Sequence, residues 1–104
     1  MAKRVIKKPE VKAAIHNIAE DFRFSNELGD IPQMFYQADM EGVVRGEAID
    51  AMREYLETGL QELKEHIQWK SSFMAENPQA DEAKVMKNLK TIEQEYIVLL
   101  DFLS

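Results

Sequence analysis

Hydrophobic residues recur along most of the chain at the spacing of an α-helix. The first such segment opens at Pro9, and proline is favoured in the first turn of a helix. Its apolar positions follow at intervals of four, three and four, which places them on one helix face: Val11, Ile15, Ile18 and Phe22. Gly29 is the expected stop, because glycine adopts the left-handed backbone conformation without steric cost.

A second, shorter helix is predicted between Asp30 and Gly42. Asp30 suits the N-cap, Pro32 suits the first turn and Gly42 suits the end. The apolar stripe of this helix is Ile31, Met34, Phe35 and Ala38. The stretch that follows, "EGVVRGE", contains two glycines and reads as a flexible connector.

The third helical segment runs from about Glu47 to Glu76 and carries two apolar stripes. The first is Ile49, Met52, Leu56, Leu60, Leu63, Ile67 and Met74. The second, offset to one side, is Tyr55, Gly59, His66, Trp69 and Phe73. Such a wide apolar arc predicts packing against two neighbours. Gly59 costs roughly 1 kcal/mol relative to alanine in a helix, so it is expected to permit a close helix crossing or to mark a bend.

The last helix follows "ENPQADE", in which Asn77 and Pro78 break the preceding pattern. Its apolar positions are Val85, Met86, Leu89, Ile92, Tyr96, Leu99, Leu100 and Leu103. From Tyr96 to Leu103 every residue except Asp101 is apolar. Two interpretations stay open: the segment lies centrally among the other helices with Asp101 facing outward, or it forms an interface.

The sequence therefore predicts an all-α fold, a small helical bundle of three main helices and one short helix. Residues 1–8 form a basic arm that is expected to be mobile and solvated, and residues 9–104 form a single domain. A helix of about 30 residues is roughly 45 Å long, against a diameter of about 35 Å for a compact domain of this size. The long helix must bend, or the molecule is elongated.

An elongated bundle leaves hydrophobic flanks that a second copy can cover, so we expect a homodimer. The residues predicted for self-association are Trp69, Phe73, Tyr96, Leu99, Leu100 and Leu103. A further aromatic group surrounds the joint between the first two helices, and core packing is the favoured interpretation for it over an adaptable groove. Its members are Phe22, Phe24, Phe35 and Tyr36.

Charge is unevenly distributed around a net value of −6. Residues 1–12 carry five basic groups against one carboxylate, a net of +4, whereas residues 20–65 carry twelve carboxylates against four basic groups, a net of −8. An acidic body repels phosphate, so direct binding of nucleic acid is not expected. No stretch is long and apolar enough to span a membrane, and cysteine is absent, which favours the cytoplasm.

An acidic stripe follows one side of the third helix at intervals of four, three, four and four: Asp50, Glu54, Glu57, Gln61 and Glu65. A solvated helix face accounts for it most simply. The four carboxylates are also the predicted contact for a protein partner, and they suggest an alternative function. An acidic protein of this kind can imitate nucleic-acid phosphate and inhibit a DNA- or RNA-binding protein.

Candidate chemistry is sparse. His16 with Glu20, and Glu62 with His66, stand four residues apart on helices, which suggests a metal- or ligand-binding bundle as a second alternative. The spacing of the di-iron signature fails at Leu63. No nucleophile motif or phosphate loop occurs, so we expect no catalytic residue, cofactor or metal. The favoured function is a non-enzymatic, homodimeric interaction module that acts as an adaptor, inhibitor or regulatory subunit of another protein.

Overall fold

The computed structural model describes residues 3–78 and 82–104. Four helices make up most of these residues, which confirms an all-α bundle of three main helices and one short one. The elements in chain order are β1 (Arg4–Val5), α1 (Pro9–Phe24), α2 (Asp30–Glu41), β2 (Val43–Val44), α3 (Gly46–Glu76) and α4 (Ala83–Leu103). The shortest helix is α2, with 12 residues, and the longest is α3, with 31.

The four helices form two layers. α3 packs against α4, α1 packs against α2 and α4, and α2 packs against α3. The pair α1/α2 therefore lies on the pair α3/α4. The core is the space enclosed by these contacts, and its fully buried large side chains are Ile15, Phe35, Val44, Met52, Leu56, Leu99 and Leu103.

The N-terminal segment differs from the expected mobile arm. Arg4 pairs with Val44, and Val5 pairs with Val43, in a short antiparallel ribbon. The Arg4 guanidinium also donates a hydrogen bond to the carbonyl of Phe102, 3.3 Å away, at the C-terminal end of α4, where a cation is favoured by the helix dipole. From residue 4 onward the segment is thus attached to the bundle. The two strands were missed because two residues are too few for an alternating pattern to register.

The helix ends follow local backbone chemistry. α1 begins at Pro9 as predicted but ends at Phe24, five residues before Gly29. The chain turns at Asn26, which adopts a positive φ of 54°, and asparagine is one of the few non-glycine residues that tolerate this conformation. α2 ends at Gly42, whose φ of 72° confirms the predicted stop.

α3 is one unbroken helix, so the molecule is elongated rather than folded around a bend. The molecule measures 51 × 27 × 23 Å, and its longest dimension is close to the length of a helix of 31 residues, about 46 Å. Gly59 permits a close crossing: a Cβ at this position would lie 2.7 Å from Cε2 of Tyr96 on α4. The glycine thus lets the aromatic ring lie directly against the backbone of α3.

Gly59→Ala is expected to destabilise the fold, although alanine is the better helix former. Overpacking against the rigid ring of Tyr96 costs roughly 1–3 kcal/mol, while the gain in helix propensity is roughly 1 kcal/mol. Urea unfolding should therefore show a net loss of about 1 kcal/mol. In a Tyr96→Ala background the same substitution should stabilise the protein, and a loss in both backgrounds would refute the packing explanation.

Candidate functional site

The two layers of the bundle differ greatly in length. α1 has 16 residues and spans about 24 Å, roughly half the length of α3. α1 runs antiparallel to α4: Arg4, before its start, bonds to Phe102, and the Asn17 amide in its second half donates to the Glu95 carboxylate. The α1/α2 layer therefore covers only one half of the α3/α4 hairpin.

The more exposed part, here called the overhang, comprises residues 61–76 of α3 and 83–91 of α4, and the α4 part also borders grooves with α1. Two contacts fix how its helices align: Gly59 meets Tyr96, and Lys70 donates to the Glu82 carboxylate at 2.9 Å. No residue of α3 beyond Leu56 is buried. Among the described residues of the overhang, Met86 alone is buried, so this end of the molecule has almost no core of its own.

An aromatic ladder lies on the overhang. The rings of His66, Trp69 and Phe73 stack in sequence, with centroids 6.2 and 5.5 Å apart and interplanar angles of 16°. Trp69 is 59% exposed and Phe73 is 36% exposed. The ammonium of Lys70 lies 5.7 Å from the centre of the Trp69 ring. Large aromatic side chains are therefore stacked on the surface rather than buried.

The ladder continues the face of α3 that the α1/α2 layer covers. Tyr55, Glu62, His66, Trp69 and Phe73 succeed one another at seven, four, three and four, which is a single helix face. At Tyr55 this face packs against the rings of Phe22 and Phe35, 5.7 and 5.8 Å away. A groove of about 450 Å³ then extends from Tyr55 to His66. The ladder is thus the exposed continuation of a core-facing stripe.

The aromatic group at the α1–α2 joint is divided between core and surface. Phe35 is fully buried and Phe22 is partly buried, as core packing requires. Phe24 is 85% exposed, so the prediction that it packs in the core is wrong. The reason is that Phe24 is the last residue of α1 and lies two residues, about 200°, from Phe22, on the opposite side of the helix. Leu28, in the same loop, is 90% exposed, and no feature of the sequence pattern had singled it out.

The apolar end of α4 lies centrally in the bundle. Leu99 and Leu103 are fully buried within the single chain, Tyr96 and Leu100 are partly buried, and Asp101 is exposed. Leu99 and Leu103 therefore have no surface to offer another molecule. Of the six residues predicted for self-association, Trp69 and Phe73 are the ones with substantial free surface.

Tyr96 is the residue with the clearest electrostatic perturbation. Burial raises the pKa of its phenol well above the ordinary value of 10.0, and the neighbouring phenol of Tyr55 and the charges of Asp21 and Glu95 raise it further. The neutral phenol is favoured because an ionised one would lose hydration and face negative charge. The ring that packs on Gly59 thus stays uncharged.

The acidic stripe remains on the surface. Asp50, Glu54, Glu57 and Glu65 are all exposed on α3. Arg53 lies 3.9 Å from Asp50 and 3.8 Å from Glu57, and long exposed pairs of this kind neutralise little charge. The carboxylates thus form a solvent-facing row.

The proposed metal-binding pairs do not assemble. Nδ1 of His16 lies 3.1 Å from the carboxylate of Asp39 on α2, and Glu20 pairs with Arg23. His66 belongs to the aromatic ladder. In residues 3–78 and 82–104, no group of three or more histidine, aspartate or glutamate side chains is placed to hold a metal ion.

Another groove, of about 680 Å³, lies between α1 and α4. Ala13, Ala14 and Val98 contribute apolar surface to it, and Lys87 and Lys90 line it as well. None of the four residues considered for metal or ligand binding borders this groove: His16, Glu20, Glu62 and His66.

Comparison with known proteins found no family model that matches the chain, and neither a curated protein nor a solved structure matches it. Within the described ranges, no helix combines the length and apolar character needed to cross a membrane.

The free energy of unfolding is expected to fall at alkaline pH because of Tyr96. Since its pKa is raised in the folded state above 10.0, the folded chain keeps a proton that the unfolded chain loses. This contribution to stability is complete below pH 10 and is lost as pH rises. Urea unfolding at about pH 8.5 and about pH 11 should show a larger loss for the wild type than for Tyr96→Phe. Equal losses in the two proteins would contradict the assignment.

Proposed function

We propose that this protein is a non-enzymatic, homodimeric helical interaction module, which acts as an adaptor, inhibitor or regulatory subunit of another protein. The observation that carries the proposal is the ladder of His66, Trp69 and Phe73, ordered and exposed on a half-covered hairpin. The lack of cysteine favours a reducing compartment such as the cytoplasm.

The aromatic ladder supports an interface because a few residues, often aromatic, provide most of the binding energy of a protein–protein contact. Tryptophan is enriched among the few residues that dominate protein association, and it buries a large area when covered. The stacked rings of Trp69 and Phe73 are already ordered by their neighbours. Less side-chain entropy is then lost on association, which leaves more of the burial energy for affinity.

The occupant we propose is a second copy of the chain. The α3 part of the overhang is about 24 Å long, so at two helices wide the overhang presents at most about 480 Å² before side-chain relief is counted. A standard interface buries about 800 Å² per partner, so the overhang supplies a little over half of that area and the dimer contact has to extend beyond it. Homodimers with two-fold symmetry are the commonest oligomers.

In this proposal the first part of the acidic stripe lies outside the dimer contact. At about 100° per residue, Asp50, Glu54 and Glu57 are centred roughly 130° around α3 from the ladder, whereas Glu65 is one turn from Trp69 and borders the ladder. The exposed Asp50, Glu54 and Glu57 would then remain available to a basic protein. A row of carboxylates on a straight helix also supports the alternative that the protein imitates nucleic-acid phosphate.

The wild type is expected to have twice the 12.0 kDa mass of one chain in light scattering. Trp69→Ala should raise the dissociation constant at least about thirtyfold, the equivalent of roughly 2 kcal/mol at a dominant interface residue. Since Trp69 is the single tryptophan, its emission should also shift to longer wavelength as the wild type is diluted and the ring becomes hydrated.

Met40→Ala is the matched control, because Met40 is 78% exposed but lies on α2, outside the overhang. It should leave the dissociation constant unchanged. A wild type that is monomeric across the whole dilution series would refute the homodimer.

The acidic stripe should be separable from the dimer. Glu54→Gln with Glu57→Gln is expected to leave the dimer mass unchanged at low and high salt, because an apolar contact is little affected by screening. The same double variant should bind a cationic probe, oligolysine, more weakly than a charge-matched control with Glu10→Gln and Glu27→Gln, two exposed positions outside the stripe and the overhang. Equal weakening in both variants would show that the probe senses only net charge.

A further inference from the structure

We propose that the groove that extends from Tyr55 to His66, between α3 and α4, binds an organic cation of the quaternary ammonium class. Its volume of about 450 Å³ lies within the range of small-molecule sites. The groove, here called the tyrosine groove, is formed by residues of a single chain. The proposal therefore goes beyond the homodimer and does not depend on it.

The tyrosine groove has an apolar inner end and a polar rim. Its inner residues are half-buried: Tyr55, Gly59, Leu63 and Tyr96. Its rim residues are exposed: Thr58, Glu62 and His66. A bound group therefore meets aromatic and aliphatic surface at depth and a carboxylate at the mouth. Two of the residues that the sequence suggested for ligand binding, Glu62 and His66, are brought together here, whereas His16 and Glu20 do not border the groove.

The two tyrosine rings of the groove are held by their neighbours. Tyr55 packs against the rings of Phe22 and Phe35, with centroids 5.7 and 5.8 Å away. Tyr96 lies directly on Gly59, where a Cβ would come within 2.7 Å of the ring. Since these rings are already fixed by packing, little side-chain entropy is lost when a ligand binds, which leaves more of the interaction energy for affinity.

The charge around the tyrosine groove favours a cation. Glu62 places a carboxylate at the rim. Asp21 and Glu95 lie near enough to the phenol of Tyr96 to raise its pKa. Among the residues that the structure describes, no lysine or arginine borders the groove. The net charge of −6 acts in the same sense, because an acidic protein raises the local concentration of cations.

The aromatic rings themselves attract positive charge, because the face of a ring carries partial negative charge. The neighbouring ladder shows such a contact, in which the ammonium of Lys70 lies 5.7 Å from the centre of the Trp69 ring. In the described part of the chain no lysine or arginine makes this contact with Tyr55 or Tyr96. Two rings of the groove are thus left for an external cation.

A quaternary ammonium group suits these surroundings better than other cations. A primary ammonium is strongly hydrated and has three N–H donors to satisfy, which a groove of mainly apolar lining does not do. A trimethylammonium group has no donor, and its methyl groups can pack on the rings and on Leu63. For a metal ion, one carboxylate and one imidazole are too few ligands, and the described residues hold no larger group of this kind.

Choline is the first probe, and its neutral carbon analogue, in which a tert-butyl group replaces the trimethylammonium group, is the control of matched shape. The amide signal of Gly59, one of only four glycines, should shift in a nitrogen–proton correlation spectrum and should saturate as choline is added. The carbon analogue should bind at least about tenfold more weakly, because it keeps the apolar contacts and lacks the charge.

Substitutions on the rim test the location of the site. Glu62→Gln is expected to weaken choline binding about threefold, since an exposed carboxylate is screened by water, and His66→Ala is expected to weaken it as well. Glu10→Gln makes the same change of charge in the first turn of α1, outside the groove, and should leave the dissociation constant unchanged. All three positions are exposed, so these variants are expected to fold, and circular dichroism verifies this.

The trimethylammonium group has two possible sources, a free small molecule and a methylated lysine on another protein. A glycine peptide with one central trimethyllysine separates them. If this peptide binds about tenfold more tightly than choline, and its unmethylated form binds weakly, the ligand is a modified protein. If choline binds as tightly as the peptide, the ligand is a small cation. Both results support the tyrosine groove.

Three results would overturn the site: no saturable shift of Gly59 with choline or the peptide, equal binding of the carbon analogue, or equal weakening by Glu62→Gln and Glu10→Gln. The last would show that choline senses only net charge. Light scattering on the same samples keeps the homodimer a separate question. A dimer without choline binding overturns the site alone, and a monomer that binds choline overturns the homodimer alone.

Discussion

The architecture depends on the close packing of α4 along α3. Gly59 is the position that permits it, because the ring of Tyr96 occupies the space that a Cβ would need. This contact sets the distance between the two long helices near the middle of the hairpin. On one side of it the α1/α2 layer encloses a core, and on the other Met86 alone is buried among the residues that the structure describes. The neutral phenol of Tyr96, favoured by burial through its raised pKa, suits this central position.

Because α3 and α4 are longer than α1 and α2, part of the α3/α4 hairpin is left exposed. A stripe that faces the core at Tyr55 continues unchanged into the ladder at Trp69 and Phe73, because α3 keeps its periodicity after the second layer has ended. The exposed rings are thus the part of a core-facing stripe that residues 3–78 and 82–104 leave without cover. Ordered aromatic side chains in such a position favour association, since their burial releases hydration without a large cost in side-chain entropy.

The sequence predicted the helices well and their ends less well. Regular apolar spacing located α3 to within a residue at its start, and the apolar positions from Val85 to Leu103 all fall within α4, because long periodic segments average out local exceptions. α1 was predicted to extend to Gly29, but a turn at Asn26 ended it at Phe24, since asparagine also tolerates positive φ. The strands Arg4–Val5 and Val43–Val44 gave no periodic signal, and their pairing joins segments that are distant along the chain. Of the candidate site, Trp69 and Phe73 were singled out, while Leu28 was not.

By itself the sequence determined the fold class, the elongated shape as one of two possibilities, and the existence of an excess of apolar surface. Helical periodicity and helix length are local properties, so they can be derived from residue spacing alone. The tertiary structure decided which of the apolar residues are buried and which remain exposed. Leu99 and Leu103 are enclosed by the other helices, whereas Trp69 and Phe73 are left exposed. This difference depends on where the α1/α2 layer ends along the α3/α4 hairpin. Residue spacing within one helix carries no information about how two helices are placed against each other.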